Sequence, residues 1–153
     1  MEVREMKLRP DIKAYIEAEL RDYYQTKKDL IEAKEDIALS APALDNVGGN
    51  TGAQTYRVGR PTEAKTIAIL TNKRIKRMEQ VIRAIEVVIG ELPEEKMKLV
   101  QLKYWQRPRR LTDAGIAMEL NVSRRTVYYW TDEICTAIAI ELGLVDERCR
   151  KQA

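Results

Sequence analysis

The sequence predicts an all-α protein: an N-terminal antiparallel two-helix hairpin over residues 1–92, its helices joined by a long loop, then a three-helix helix-turn-helix unit over residues 93–153. Three observations lead there. Strand signals are almost absent, apolar residues recur three and four apart over long stretches, and helix start and stop residues bracket those stretches. The 153 residues are 44% hydrophobic and 33% charged, enough apolar material for a core and too mixed a pattern for a disordered chain.

The first helix is expected from Pro10, a residue suited to a first helical turn, to about Leu39. Ile16, Leu20, Tyr23, Leu30 and Ile37 form one stripe, with Tyr24, Ile31 and Ala38 beside it. Ser40 to Arg60 is a 21-residue stretch with Pro, Asn and four Gly and no sustained period, and it reads as a loop. Loops of that length are commonly mobile or functional. The second helix opens at Pro61-Thr62-Glu63 and runs to about Gly90. Ile75, Met78, Ile82, Ile85, Ile89 and Leu92 alternate in steps of three and four, like a coiled-coil seam, and Val81 and Val88 widen the stripe. Packing on the first helix is the preferred account, with self-association of two chains through Ile75 to Leu92 as the rival.

Pro93 to about Trp105 follows as a helix with Pro93, Glu94 and Glu95 at its start. Gln106 to Arg110 is a basic, Pro-containing break. Thr112 caps a short helix to Leu120, Asn121-Val122 turns, and Ser123 caps a last helix that Gly143 closes after Leu142.

Charge is uneven along this chain. The totals are 27 Lys+Arg against 24 Asp+Glu, but residues 57–83 carry a net +6 and residues 93–131 a net +4, inside an otherwise acidic frame. Such blocks suit a polyanion met by part of the surface. The chain has no His, and its two cysteines, Cys135 and Cys149, are fourteen positions apart, so imidazole chemistry and Cys/His zinc sites are excluded. Acid-base catalysis would have to rest on carboxylates or Lys. There is no Gly-rich phosphate loop and no metal-ligand spacing, so no catalytic residue, cofactor or metal is expected. No apolar run is long enough for a membrane span and the start is unlike a signal peptide, which predicts a cytoplasmic protein with reduced thiols.

The constellation with functional content is DAGIAMELNVSRRTVYYW, Asp113 to Trp130. Ile116, Ala117 and Leu120 form the buried side of a first helix, and Val122, Val127 and Trp130 bring apolar groups onto it. Ala117 sits where the helices approach most closely, and Asn121 suits the left-handed turn between them. That places Arg124, Arg125, Tyr128 and Tyr129 away from the core, with Ser123 and Thr126 beside them. A helix start carries about half a positive charge, so a cation there costs roughly 0.3 to 1 kcal/mol. Phosphates and the guanine edge in the major groove offset that cost, which marks Arg124 and Arg125 as DNA-reading candidates, with tyrosine hydroxyls available for phosphate. Arg107, Arg109 and Arg110 form a second basic point, read as phosphate contacts that position without specifying. For Lys73, Arg74, Lys76 and Arg77, DNA, a partner and plain solvent remain equally open.

From Leu92-Pro93 through Tyr104, Leu111-Thr112, Ile116-Ala117, Val122-Ser123-Arg124 and Val127, the last 60 residues resemble the promoter-reading C-terminal domain of bacterial sigma factors. Nothing before Leu92 resembles the aromatic-rich element with which sigma factors open promoters. A wider likeness rests on Val47-Gly48-Gly49, Pro61-Thr62-Glu63, Thr71-Asn72-Lys73-Arg74, Leu92-Pro93-Glu94-Glu95-Lys96, Lys103-Tyr104-Trp105 and Leu142-Gly143. With these the chain resembles the RinA/ArpU group of phage and prophage transcriptional regulators. The resemblance implies an activator of phage late genes, acting in a bacterial host cytoplasm on double-stranded DNA, with host RNA polymerase as a further partner. The alternative expectation is the small, ring-forming DNA-recognition subunit of a phage packaging terminase.

Overall fold

A computed structural model describes residues 8–40 and 61–145. Among them are six α-helices and no strand: α1 (Pro10–Arg21), α2 (Tyr23–Ser40), α3 (Pro61–Gly90), α4 (Glu94–Val100), α5 (Asp113–Glu119) and α6 (Arg124–Glu141), with α4 continuing as a wider π-turn at Gln101–Trp105. The all-α class is as the sequence predicts, and α3 opens at Pro61. The Gly-rich segment 41–60 and Cys149 lie outside the described residues.

The first difference from expectation is a break at Asp22, which divides the stretch expected as one helix. Asp22 has φ −93° and ψ 5°. Its N–H still bonds the Ala18 carbonyl at 3.0 Å and its own carbonyl accepts from Thr26 N at 2.7 Å, so the axis bends with little loss of backbone bonding. The cause is tertiary. The Trp105 indole donates to the Leu20 carbonyl at 3.0 Å, and the Arg107 guanidinium donates to the Arg21 carbonyl at 2.8 Å and to Asp22 Oδ1 at 3.2 Å. The π-turn sets up this grip: Gln106 N–H closes onto the Gln101 carbonyl, five residues back, at 2.8 Å. Tyr104 hydrogen-bonds Glu17, and the Trp105 ring stacks on Tyr23 with centroids 5.4 Å apart.

Beyond the break, α2 lies along α3. Lys27 pairs with Glu86 and Lys34 with Glu79, so partners run in reverse order along the two helices. The column Tyr23, Leu30 and Ile37 faces α3, while Tyr24, Ile31 and Ala38 are exposed. One neighbouring helix, α3, covers one column, and among the described residues no second helix covers Ile31 and Ala38 of the other, while Tyr24 meets the Trp105 ring edge to face with centroids 5.1 Å apart. From α3, Ile75, Val81, Ile82, Ala84, Ile85 and Val88 are buried within the chain, with α2 and α6 as neighbours. The widened apolar stripe of α3 thus serves two intramolecular contacts.

A single apolar cluster joins Ile16 and Leu20 of α1, Ile85 of α3, Leu99 and Val100 of α4, Ile116 of α5, and Ile134 and Ile138 of α6. Residues on both sides of position 92 share it. Burying each such side chain contributes roughly 1.5 to 3 kcal/mol, so this cluster, rather than the exposed ion pairs, dominates the stability.

Trp105→Phe keeps an aromatic ring but loses the donor to the Leu20 carbonyl and part of the surface stacked on Tyr23, and should lower the urea-derived stability by about 1 to 3 kcal/mol, while Met118→Ala on the exposed side of α5 should change it by less than about 0.5. The Tyr23 hydroxyl, then Lys27, hold the Glu86 carboxyl below its usual value. A depressed carboxylate stabilises the fold above its unfolded pKa and loses that contribution as pH falls through the folded value. Glu86→Gln should therefore flatten the acid side of a stability-against-pH curve, read by urea melts between pH 7 and pH 3, a range chosen to bracket about pH 4.

Candidate nucleic-acid interface

The last two helices are set by three local devices. Thr112 Oγ1 accepts from Gly115 N at 3.3 Å and caps α5. Ser123 Oγ accepts from Thr126 N at 3.1 Å, caps α6, and lies 2.9 Å from the Thr126 hydroxyl. Between them Asn121 has φ +55°, the left-handed conformation that its short amide side chain tolerates. Val122 N bonds the Ala117 carbonyl at 3.0 Å, and Ala117 is 3% exposed. At the far end Leu144 N bonds the Ala139 carbonyl at 2.9 Å across Gly143, whose φ is +73°.

Most of α6 is covered. Val127, Thr131, Ile134, Cys135, Ile138 and Ala139 face the core, and α1, α3 and α5 all pack on the helix. Its first turn is open to solvent, with Ser123, Arg124, Arg125 and Tyr128 exposed and Thr126 and Tyr129 half-buried. No acidic residue occupies that turn. The positive end of the helix dipole and two arginines are therefore found together at this end of α6.

The two basic points that are separate in sequence meet in space. Arg109, Arg110 and Arg124 line one shallow groove with Leu111, Thr112, Asp113 and Ala114. Arg110 and Arg124 have no ion-pair or hydrogen-bond partner among the described residues. Arg109 is held: it donates to the Leu111 carbonyl at 3.0 Å and to Asp113 at 2.9 Å. Asp113, the one acidic lining residue, also lies 3.6 Å from Lys103, so its charge is answered before any ligand arrives. Arg107 belongs elsewhere, on the carbonyl end of α1.

The other candidate groups are preset. Arg125 Nε donates to the Tyr129 hydroxyl at 2.9 Å, with the guanidinium 5.4 Å from that ring. Tyr128 is 46% exposed and meets Tyr129 edge to face. Lys13 of α1 sits over the Tyr128 ring at 4.5 Å and pairs with Asp132. Partial burial works against the Lys13 charge, but the Asp132 hydrogen bond and charge outweigh it, so its pKa is raised. Lys13 thus adds a cation beside α6 that sequence reading did not single out. No local signal marks it, since its partners are more than a hundred residues away. Lys73, Arg74 and Lys76 are exposed on α3, and Arg77 bonds the Tyr15 hydroxyl at 2.8 Å.

Burial pushes the Cys135 thiol up to about 12, so it carries no nucleophilic thiolate near neutral pH. No described helix is long and apolar enough to cross a membrane.

The family described as "Protein of unknown function (DUF722)" matches residues 14–139, from within α1 to near the end of α6. The match includes the capped turn and the whole arginine groove. No curated protein and no solved structure matches the chain.

The capped turn makes a direct prediction. Ser123→Ala should cost about 1 kcal/mol through the lost cap. Asn121→Val, a β-branched residue forced to positive φ, should cost about 1 to 2 kcal/mol or more, whereas Asn121→Gly should be close to neutral. Urea denaturation of the three variants checks the order.

Proposed function

We propose that this chain, which belongs to the DUF722 family, is a sequence-specific DNA-binding regulator of transcription, an activator of the phage late-gene type. In this reading α5, the Asn121 turn and α6 act as a helix-turn-helix, and α2 with α3 forms a hairpin that supports it. One observation carries the proposal: Arg110 and Arg124, without partners among the described residues, line one groove beside an uncovered helix start. No described residue pairs with either arginine there, and the helix dipole opposes Arg124. A polyanion supplies what is missing.

Covering α6 on three sides while leaving its first turn bare also suits major-groove reading, in which the N-terminal residues of the second helix reach the base edges. Arg124 and Arg125 take the base-reading role, with Ser123, Thr126, Tyr128 and Tyr129 at the adjoining sugar and phosphate positions. Arg110 takes the backbone role, with Arg109 beside it while it keeps Asp113 neutralised. A bidentate guanidinium contact with guanine discriminates by about 1 to 3 kcal/mol, and a phosphate contact adds affinity that is sensitive to salt.

The test starts from a site selected out of random DNA. Arg124→Ala with Arg125→Ala should remove the preference for that site over an unrelated duplex. Arg110→Ala should weaken binding to both duplexes alike and reduce the slope of log affinity against log salt by about 1. Full affinity and full preference in both variants at moderate salt would refute the assignment.

A further inference from the structure

The outer face of α2 is an apolar surface that the described residues leave uncovered. Tyr24 is 59% exposed, Ile31 57% and Leu39 84%, and Ala38 is exposed between them. Steps of four, three and four put Tyr24, Lys28, Ile31 and Glu35 on one stripe, with Ala38 and Leu39 on either side of its continuation. The stripe points away from α3, which takes Tyr23, Leu30 and Ile37. It is not the Ile75 to Leu92 seam, where Ile75, Ile82 and Ile85 are buried inside the chain and Met78, Ile89 and Leu92 are half-buried.

The charges on this stripe are of opposite sign and evenly placed. Lys28 and Glu35 are both exposed, and neither has an ion-pair or hydrogen-bond partner among the described residues. They stand on either side of Ile31, so a copy of the same helix laid antiparallel complements the stripe at every position. With Lys28 opposite the partner's Glu35, Tyr24 falls opposite the partner's Leu39, and Ile31 lies beside the partner's Ile31 at the axis. A parallel copy in the same register would put Lys28 against the partner's Lys28. We propose that α2 is the contact between two copies of this chain, packed antiparallel about a two-fold axis near Ile31, with two reciprocal pairs from Lys28 to the partner's Glu35.

Self-complementarity of this kind is what an isologous two-fold contact needs, since one patch must recognise itself. From Tyr24 to Leu39 the face spans about 22 Å, at 1.5 Å per residue. Four apolar side chains per copy over that length make a small interface, so the dimer is a reversible one. It also suits the proposed DNA-binding reading, because two copies about an axis present two arginine grooves to two half-sites.

The full chain is weighed by sedimentation equilibrium from about 1 µM to about 1 mM, a range covering dimer free energies of roughly 4 to 8 kcal/mol. The wild-type mass should rise from 17.7 kDa towards twice that value. Lys28→Glu and Glu35→Lys alone should each weaken the dimer about tenfold, since each change sets like charges together in both pairs, and the Lys28→Glu/Glu35→Lys double variant should restore it to within about twofold. Ile31→Arg should abolish dimerisation, and all the variants should keep the wild-type circular dichroism because the residues are exposed. A chain that stays single at the highest concentration overturns the proposal. So does a dimer that survives Ile31→Arg, or a double variant that fails to recover. A single chain that captures a different protein through this face overturns it too. No DNA is present in these measurements, so their failure leaves the DNA-binding reading standing, and failure of that reading leaves the dimer standing.

Discussion

The Trp105 indole and the Arg107 guanidinium take the carbonyls of Leu20 and Arg21, which an uninterrupted helix would have given to N–H groups four residues on. The last carbonyls of a helix must find donors, and leaving one buried and unmet costs about 1 to 3 kcal/mol. Because the π-turn brings two donors to that spot, α1 can stop at Arg21 without that penalty, and α2 can set out in a new direction. With α1 released from the line of α2, it packs on α6 and the π-turn while α2 packs on α3. The shared core follows, since Ile16 and Leu20 reach Leu99, Ile116 and Ile138 only from a separate α1.

The same arrangement shapes the candidate interface. Packing α1, α3 and α5 around α6 buries most of its length and leaves the first turn as the part a ligand can reach. The arginines of the basic segment then divide by task. Arg107 closes the end of α1, Arg109 neutralises Asp113, and Arg110 joins Arg124 in the groove. A run that looks uniform in sequence thus holds one structural, one positioning and one available guanidinium. Counting charges could not separate them, because the partners of Arg107 lie 85 and 86 residues away and Arg110 meets Arg124 only through the fold.

A comparable division runs along α2. Its two apolar columns read as one wide stripe, yet α3 is a single cylinder and covers only one of them. Ile31 and Leu39, and the side of Tyr24 turned away from Trp105, stay exposed at some cost in solvation, beside a lysine and a glutamate that have no partner among the described residues. The interior of α3, by contrast, is saturated by α2 and α6, so the coiled-coil-like spacing there describes contacts within one chain.

What the sequence determined by itself is local: the all-α class, the starts at Pro10 and Pro61, the caps at Thr112 and Ser123, the left-handed Asn121, the stop at Gly143, and the exposed Arg124 and Arg125. Each follows from the backbone preference of one residue or from periodicity within one helix, and both are written in neighbouring positions. The break at Asp22, the π-turn, the union of Arg110 with Arg124, the placing of Lys13 beside Tyr128 and the bare face of α2 were decided only by the tertiary structure. Apart from the π-turn, whose own bond spans five residues, those depend on groups brought together across the chain, from fourteen residues between Arg110 and Arg124 to more than a hundred between Lys13 and Tyr128. No local preference encodes which helix will cover which face.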